Sequence, residues 1–349
     1  MARTQGTAAR SCSNSVTHAL ASSRASTRPS IAPTGMVAAW AKLLGGKEAY
    51  TVTFGDRGEN EAGMQMIGQD AGKGVSVAHL RRRKAELEEK GVGVHLYELR
   101  ELLPESEARE ADEAALLVVK GGVAHFLEGE AEGEELLLAE LRRMPKDTTS
   151  LSYGAVRNKH ARHNNTIGDF DQEPDIANGK GTVVNFKDYP LVDRMRRAMA
   201  GFLEAPFPLV GELNHYYDAD KCGIGWHGCA AARGGQAGGP EPGRAACRDL
   251  ERKLVAGMRV GPGADGLPLR YQWFRRNAPV GKEAKIELDS GDLYMMSEKA
   301  VGFDWKLSSK LTLRHAAGKD SCSYSRPKRP RDDAAHEVVS WRPGKAARA

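Results

Sequence analysis

The sequence predicts an α+β protein in which a smaller α/β unit, residues 48–145, precedes a strand-rich unit with flanking helices, residues 150–318. Short runs such as YTVTF (50–54) have the alternation that is typical of strands. The segment VAHLRRRKAELEEK (77–90) instead carries opposite charges four residues apart, for example Arg82 with Glu86, which indicates a helix. At 349 residues the chain is long enough to bury a core in each unit.

Charge, cysteine content and hydropathy narrow the range of partners. A formal net charge of +5 permits a polyanionic partner without requiring one. The five cysteines include no Cys-x-x-Cys pair, so neither a zinc knuckle nor a disulfide framework is indicated, and a reducing compartment is expected. No apolar run approaches the ~18 residues that a membrane span needs, so the sequence predicts no membrane partner.

Both ends of the chain have the composition of unfolded segments. Residues 1–47 contain no acidic residue and are rich in Ser, Thr, Ala and Arg, which fits an organellar transit peptide, a disordered tail, or sequence upstream of a start at Met36. Residues 319–349 contain SRPKRPRDD and a Pro-, Arg- and Ala-rich end, which predict a disordered basic tail or a nuclear-localisation patch. The expected location is therefore organellar or nuclear.

Between the two ends, local patterns predict further helices and strands. Gly91 stands where the first helix should stop, and VGVHLYEL after it predicts a strand. The segment ALLVVKGGVAHFL (115–127) predicts a β-hairpin that turns at Gly121-Gly122, because this dipeptide tolerates positive φ. Helices are expected at 136–144, and at 190–204, where a proline begins a run with helical apolar spacing.

Residues 213–228, LNHYYDADKCGIGWHG, form the stretch around which the strand-rich unit is organised. A strand-like run and a polar turn lead to a second short strand that ends on His227. A carboxylate two residues later would complete His-x-Asp, which places two metal-binding side chains at one strand end, but Cys229 stands there. Removing the Ala-, Gly-, Arg- and Pro-rich residues 229–248 restores His-Gly-Asp with Asp249. We therefore interpret 229–248 as a flexible insertion that splits the motif, or as an unremoved intron.

This stretch resembles the AlkB-like branch of the Fe(II)/2-oxoglutarate dioxygenases. That family has Asn-x-Tyr, then an aliphatic residue and His-x-Asp, which match Asn214, Tyr216, Ile224, His227 and, after the insertion, Asp249. Upstream, ARHNNTIGDF resembles the family's Arg-rich segment, and LPLRYQWFRR, IELDSGDLYMM and KLTLRH downstream supply further strands. The resemblance covers roughly residues 150–320 and implies a double-stranded β-helix, or jelly-roll, catalytic core.

The resemblance implies an Fe(II) centre held by two histidines and one aspartate, with positions left for 2-oxoglutarate and O2. His227 and Asp249 supply two of the ligands. His315 is the expected third, because the other later histidine, His336, lies in the tail. The family's distal histidine usually comes earlier in the chain, so either the loop before His315 is long or the third ligand is missing. Cys229, inside the insertion, is not expected to bind the metal.

Asn214 and Tyr216 resemble the family's polar contacts to 2-oxoglutarate. The far carboxylate of this co-substrate needs a cation, and a guanidinium grips it with two hydrogen bonds. Arg326 has the spacing from His315 that many relatives show. Arg314 takes the role instead if LTLR corresponds to the family's terminal Leu-Thr-x-Arg strand.

The reaction implied by the resemblance couples decarboxylation of 2-oxoglutarate to hydroxylation of a substrate C–H bond. An N-methyl group oxidised in this way is lost as formaldehyde. The predicted function is therefore a dioxygenase that demethylates a modified nucleobase. Two alternatives remain: an oxygenase that hydroxylates a protein or a small molecule, and a non-catalytic member whose metal site is disrupted by the insertion.

Two groups of residues predict contacts with nucleic acid. The basic side chains at 157–163 form either a phosphate-contacting lip beside the site or a solvated loop: Arg157, Lys159, His160, Arg162 and His163. A second group could stack on and clamp a flipped base, although strand alternation requires that some members face the core: Tyr271, Trp273, Phe274, Arg275 and Arg276.

Overall fold

The computed structural model describes residues 46–61, 63–128, 132–229, 252–307, 309–322 and 337–342. Several predictions fall outside these ranges. They concern the transit-like N-terminal segment, the insertion from residue 230 onward, Asp249, Arg326 and most of the basic tail.

Strands dominate the described residues, and most of them are short. In chain order they are β1 (Ala49–Gly55), β2 (Arg57–Glu59), β3 (Met66–Gly68), β4 (Val94–Glu98), β5 (Ala115–Val119), β6 (Thr149–Ser152), β7 (Ala155–Asn158), β8 (His163–Gly168), β9 (Val183–Asn185), β10 (Val210–Tyr216), β11 (Ile224–His227), β12 (Val255–Val260), β13 (Leu269–Arg275), β14 (Ala278–Ile286), β15 (Leu293–Met296), β16 (Thr312–Ala317) and β17 (Val338–Trp341).

Helices accompany the strands and confirm the α+β class. Those in the described residues are α1 (Val77–Glu89), α2 (Glu105–Ala108), α3 (Gly122–Phe126), α4 (Gly133–Arg143), α5 (Pro190–Leu203) and α6 (Glu298–Val301). Ser76 caps α1 by accepting a hydrogen bond from a backbone N–H of its first turn, and Gly91 just beyond the helix has a φ of 73°. Pro190 occupies the first turn of α5, as its fixed φ allows. The three predicted helices are therefore confirmed, with ends shifted by a few residues.

The strands form two large sheets. One has eight strands in the order β4-β5-β15-β12-β1-β10-β8-β9, and the other has five in the order β11-β16-β13-β14-β17. One apolar cluster joins α1, α3, α4 and α5 to the larger sheet. A second cluster joins the larger sheet to the smaller one, with Tyr294 and Met296 from β15 packed with Tyr271 and Trp273 from β13. The described chain is therefore layered as helices, large sheet and small sheet.

Strand β1 lies in the interior of the larger sheet. It forms seven residue pairs with β10 on one side and six with β12 on the other. Strands β4 and β5 extend the same sheet beyond β15. The strands of the predicted unit 48–145 thus share a sheet with the strands of 150–318, and the sequence boundary does not separate two sheets. Local patterns identify strands, but they do not identify which distant strand is the partner.

The hairpin predicted over 115–127 is wrong. Gly121 does have a positive φ of 59°, but the chain then enters α3 instead of a return strand. Both edges of β5 are already occupied, by β4 and by β15, so no free edge remains for a strand that would turn back. The uniformly buried ALLVV run is consistent with this interior position.

Part of the predicted disordered tail is ordered. Within residues 319–349, strand β17 pairs in parallel with β14. The Trp341 ring stacks on the Tyr97 ring with a centroid separation of 4.9 Å, which attaches this strand to the smaller sheet. Among the described residues, no helix is both long and apolar enough to cross a bilayer.

Candidate metal centre

A cavity of about 460 Å³ lies between the two sheets. Strands β1, β10, β12 and β15 of the larger sheet line one side, and β11, β13 and β16 of the smaller sheet line the other. This volume is within the range of small-molecule sites, roughly 300–1,000 Å³.

His227 and His315 come together on one wall of the cavity. Strand β11 pairs with β16 in antiparallel register, and the two histidines are direct partners in that pairing. The register shifts between Ile224 and His227, an irregularity of the kind that re-aims a side chain. The two imidazole rings are 4.4 Å apart between centroids and inclined by 64°. The sequence separation of the two histidines is therefore compatible with a shared site.

Hydrogen bonding determines which nitrogen of His227 is available. Its Nδ1 lies 2.7 Å from the carbonyl oxygen of Gly225, which can only accept, so Nδ1 carries the proton. The Nε2 lone pair is then free, as in metal-binding histidines whose other nitrogen donates to a carbonyl. His315 is buried beside the backbone of Ala300, and its Nε2 is the nitrogen that faces Cys229.

Cys229, which the sequence analysis did not expect to bind the metal, lies beside the two histidines. Its Sγ lies 3.5 Å from His315 Nε2, and one ligand atom from each of the three residues falls within 4.8 Å of the others. The backbone N–H of Cys229 donates to the carbonyl of Val301 (3.0 Å), and Gly228 lies against Gly302 so closely that a Cβ would be 2.0 Å from its carbonyl oxygen. These contacts fix the segment next to α6. Asp249, the predicted ligand, lies outside the described residues.

Burial keeps all three side chains neutral. It lowers the pKa of His227 to about 4 and the pKa of His315 well below its usual value, with the proximity of the two rings adding to the effect on His315. Burial raises the pKa of the Cys229 thiol to about 12. Neutral imidazoles are the form that binds a metal, so the histidines fit a divalent ion as they stand. The thiol fits only if the cation displaces its proton.

Asn214 and Tyr216 face the histidines from the larger sheet. Both lie on β10, two residues apart and on the same face, and both line the cavity. Asn214 Oδ1 accepts a hydrogen bond from Arg162 Nε. Tyr216 is buried, which raises the pKa of its hydroxyl. Four of the predicted site residues therefore meet at one cavity.

Arg314, the predicted partner of the far carboxylate of 2-oxoglutarate, does not line the cavity with them. It precedes His315 on β16, so its side chain points to the opposite face of the strand. Its guanidinium lies over the rings of Phe274 (4.4 Å) and Trp305 (5.2 Å) and donates to Asn277 Oδ1 (2.6 Å). The alternative candidate, Arg326, is outside the described residues.

The aromatic residues expected to clamp a base belong to the core. Tyr271, Trp273 and Phe274 are all buried, and the Trp273 indole donates to the carbonyl of Leu99 (2.8 Å). Arg275 forms an ion pair with a glutamate of α2 (2.6 Å). All three rings are buried, and not only some of them as expected, because strand β13 is covered on both sides.

The basic lip at 157–163 is divided between surface and interior. Lys159 is buried, and its ammonium donates to the amide oxygens of Asn60 (2.8 Å) and Asn164. Arg162 lines the cavity. Arg157 and His160 are exposed, so they are the members of this group that remain accessible to a phosphate.

Other charged residues, which the sequence analysis did not single out, also line the cavity. Arg252 lies just before β12 and Arg259 lies on β12, and Glu59 and Glu212 reach the cavity from β2 and β10. Burial raises the pKa of Glu59 to about 7. No local pattern marks these residues, because pairing between distant strands brings them together. Cys229 did carry a signal, since it stands two residues after His227, where a second ligand was expected.

Comparison with known proteins gives a relative but no activity. No protein-family model matches the chain. The chain is 36% identical over 274 residues to an uncharacterized protein of Acanthamoeba polyphaga mimivirus, and the match covers 78% of this chain and 97% of the viral protein. At this identity and coverage, the chain belongs to the same family as the mimivirus protein.

Proposed function

We propose that the protein is an Fe(II)/2-oxoglutarate-dependent dioxygenase of the AlkB-like type that oxidises a modified nucleobase. One observation carries the proposal. Two neutral imidazoles, His227 and His315, are paired on adjacent strands and face Asn214 and Tyr216 across a single cavity. The arrangement supports the proposal because four residues to which the AlkB-like resemblance assigns metal or co-substrate contacts lie around one cavity, on two different sheets.

The strand order supports a jelly-roll core. The strands β15-β12-β1-β10 of the larger sheet are joined through the inter-sheet apolar cluster and cavity to β14-β13-β16-β11 of the smaller one. From β10 to β16 the chain crosses between the sheets at every step except the β13–β14 hairpin, as a jelly roll does. Strand β1 takes the eighth position, between β10 and β12. The proposed fold is therefore a jelly roll whose last strand comes from the N-terminal side.

The proposal gives roles to several cavity residues. His227 and His315 would hold the iron, and Asp249, which lies outside the described residues, would supply the carboxylate that hard divalent ions favour. Iron with 2-oxoglutarate and O2 supplies an oxidant that hydroxylates an unactivated C–H bond. Asn214 and Tyr216 orient the co-substrate, and the two sheets exclude bulk water from the reacting groups.

A nucleobase is the favoured substrate because of what surrounds the cavity. Arg157 and His160 are exposed and lie five and two residues before Arg162, a cavity residue, so they are the candidates to contact the phosphates of a nucleotide bound there. A protein or small molecule is the alternative substrate for the same chemistry.

A second candidate function is favoured by Cys229. With a thiolate as third ligand, the site would select a thiophilic ion such as zinc, and the protein would bind metal without oxidising a substrate. The 3.5 Å separation of Cys229 Sγ from His315 Nε2 is the observation that favours it.

Turnover tests the main proposal. Anaerobically loaded full-length protein is expected to form succinate only with Fe(II), 2-oxoglutarate and O2, and to release formaldehyde from N-methylated single-stranded oligonucleotides. His315→Ala should lower metal affinity beyond the ~10–100-fold typical of outer-sphere changes. His125→Ala, a half-buried histidine on α3, is the matched control and should bind metal normally. Release of formaldehyde from methylated peptides but not from methylated oligonucleotides would support a protein substrate.

Cobalt substitution separates the two candidate functions. A Cys229 thiolate bound to Co(II) gives a sulfur-to-metal charge-transfer absorption that Cys229→Ser removes. The main proposal expects Asp249→Asn to weaken metal binding and Cys229→Ser to leave it intact. The reverse result, together with no succinate from the wild-type protein, would support the thiolate site and refute the oxygenase.

A further inference from the structure

We propose that Arg259 binds the carboxylate of the oxo-acid co-substrate that lies remote from the metal. This inference rests on the proposed function and assigns the co-substrate cation to β12, in the interior of the large sheet. Neither of the two arginines suggested by the sequence lies on that strand.

Arg259 is a buried guanidinium without a carboxylate partner in the described chain. Its side chain is only 1% exposed. Nη1 donates to the carbonyl oxygen of Leu267, and Nε has no hydrogen-bond partner among the described residues. Removing a charge from water is costly unless the charge is paired. A buried guanidinium that lines a cavity and has no carboxylate partner can bind an anion that enters the cavity.

The other guanidiniums of the cavity are already paired. Each lies within 4 Å of a carboxylate: Arg252 with Glu212 (3.3 Å), Arg162 with Glu61 (3.8 Å) and Arg57 with Asp70 (3.3 Å). A ligand carboxylate that used one of these would have to compete with a glutamate or an aspartate. Arg259 offers its charge without that competition.

Sheet register places Arg259 in line with the predicted co-substrate residue Asn214. Arg259 is the partner of Thr51 on β1, and Thr51 is the partner of Asn214 on β10. Residues opposite each other in antiparallel strands point to the same face, so the three side chains form one row along the cavity. The Thr51 hydroxyl is buried and also has no hydrogen-bond partner in the described residues. The row therefore offers an unpaired cation next to an unpaired hydroxyl donor.

The position of β1 explains why the cation lies here. This strand, AYTVTFG, carries no basic residue and presents the short side chains of Thr51 and Thr53 to the cavity. Space above β1 is consequently left for the longer side chain of its neighbour on β12. Arg314, on β16, points away from the cavity and cannot substitute for it.

A pair of oxo acids tests the assignment. 2-Oxovalerate has the carbon chain and chelating end of 2-oxoglutarate, but a methyl group replaces the far carboxylate. Calorimetric titration of the anaerobic Fe(II)-loaded full chain should show that the wild type prefers 2-oxoglutarate by about 30-fold or more, as expected for a buried charge pair. Arg259→Met should bind the two oxo acids about equally, because the variant loses only the interaction with the far carboxylate. Arg314→Met is the control and should keep the wild-type preference.

The outcomes separate this inference from the proposed function. If Arg259→Met retains the wild-type preference, the assignment of Arg259 is overturned while the oxygenase proposal stands. If the wild type binds metal but neither oxo acid, the oxygenase proposal itself fails. Should Arg259→Met not fold by circular dichroism, Arg259→Gln preserves a donor to Leu267 and is titrated in its place, with the same two readings.

Discussion

A chain that begins at Gly63, and so lacks β1, should fail to fold, although it retains every residue of the predicted unit 150–318. Strand β1 pairs with β10 and β12, which are not partners of one another in the eight-stranded order. Without β1 the larger sheet is divided into β4-β5-β15-β12 and β10-β8-β9. The edges of β12 and β10 that β1 covers would then be unpaired in what was the interior of the sheet.

The loss can be estimated from the side chains that β1 buries. Tyr50, Val52 and Phe54 are at most 2% exposed. Burying each side chain contributes about 1.5–3 kcal/mol, so the three together contribute about 5–9 kcal/mol. A domain's whole free energy of unfolding is about 5–15 kcal/mol. The two ladders, with seven and six residue pairs, add to the loss.

Far-UV and near-UV circular dichroism with urea unfolding would measure the effect. The chain from residue 46 should unfold cooperatively, and the chain from Gly63 should show no cooperative transition until a peptide of residues 46–61 is added. A truncation after Cys322 is the matched control, because among the described residues it removes only the segment 337–342 with the edge strand β17. Cooperative unfolding of the chain from Gly63 by itself would refute the reasoning, and would mean that the larger sheet closes without its inner strand.

Two further perturbations test charged side chains that the fold removes from water. Lys299→Met should lower the free energy of unfolding by about 3 kcal/mol in urea titrations, because it leaves the buried Asp304 carboxylate (6% exposed) without its 2.7 Å partner; Lys187→Met, which breaks the exposed pair with Asp171, should cost less than about 1 kcal/mol. Since burial raises the pKa of Glu59 to about 7, the folded state holds its proton more tightly, and the free energy of unfolding should fall as pH rises from about 4.5 to 7. Glu59→Gln should remove that part of the slope, and an unchanged slope would contradict the raised pKa.

Local signals in the sequence predicted the longer helices. The helices at 77–90 and 190–204 follow from charge spacing and an initial proline, and both are present. The pairing of His227 with His315 was reached through a motif resemblance and the scarcity of later histidines, and the structure brings the two rings together. Each of these inferences depends on residues whose own identity or spacing carries the information.

What the sequence could not supply depends on strand pairing over long distances. Arg314 was chosen from a strand motif, but alternation along β16 sends its side chain away from the cavity that His315 faces. Arg259 has no motif around it and becomes relevant only because β12 lies beside β1. Register between strands that are some two hundred residues apart is a property of the folded sheet. The periodicity of a single sequence carries no information about that register.

The same pairing makes the cavity a joint product of both halves of the chain. Thr51 and Thr53 line it from β1, Asn214 and Tyr216 from β10, and His315 from β16. A ligand in the cavity would contact the N-terminal strand as directly as it contacts the histidines. Ligand binding should therefore stabilise the insertion of β1 between β10 and β12, since a ligand that binds only the folded state shifts the folding equilibrium by mass action. Within the described chain, ligand binding in the cavity and closure of the large sheet should for this reason be coupled, and residues 150–318 do not contain all of the binding site.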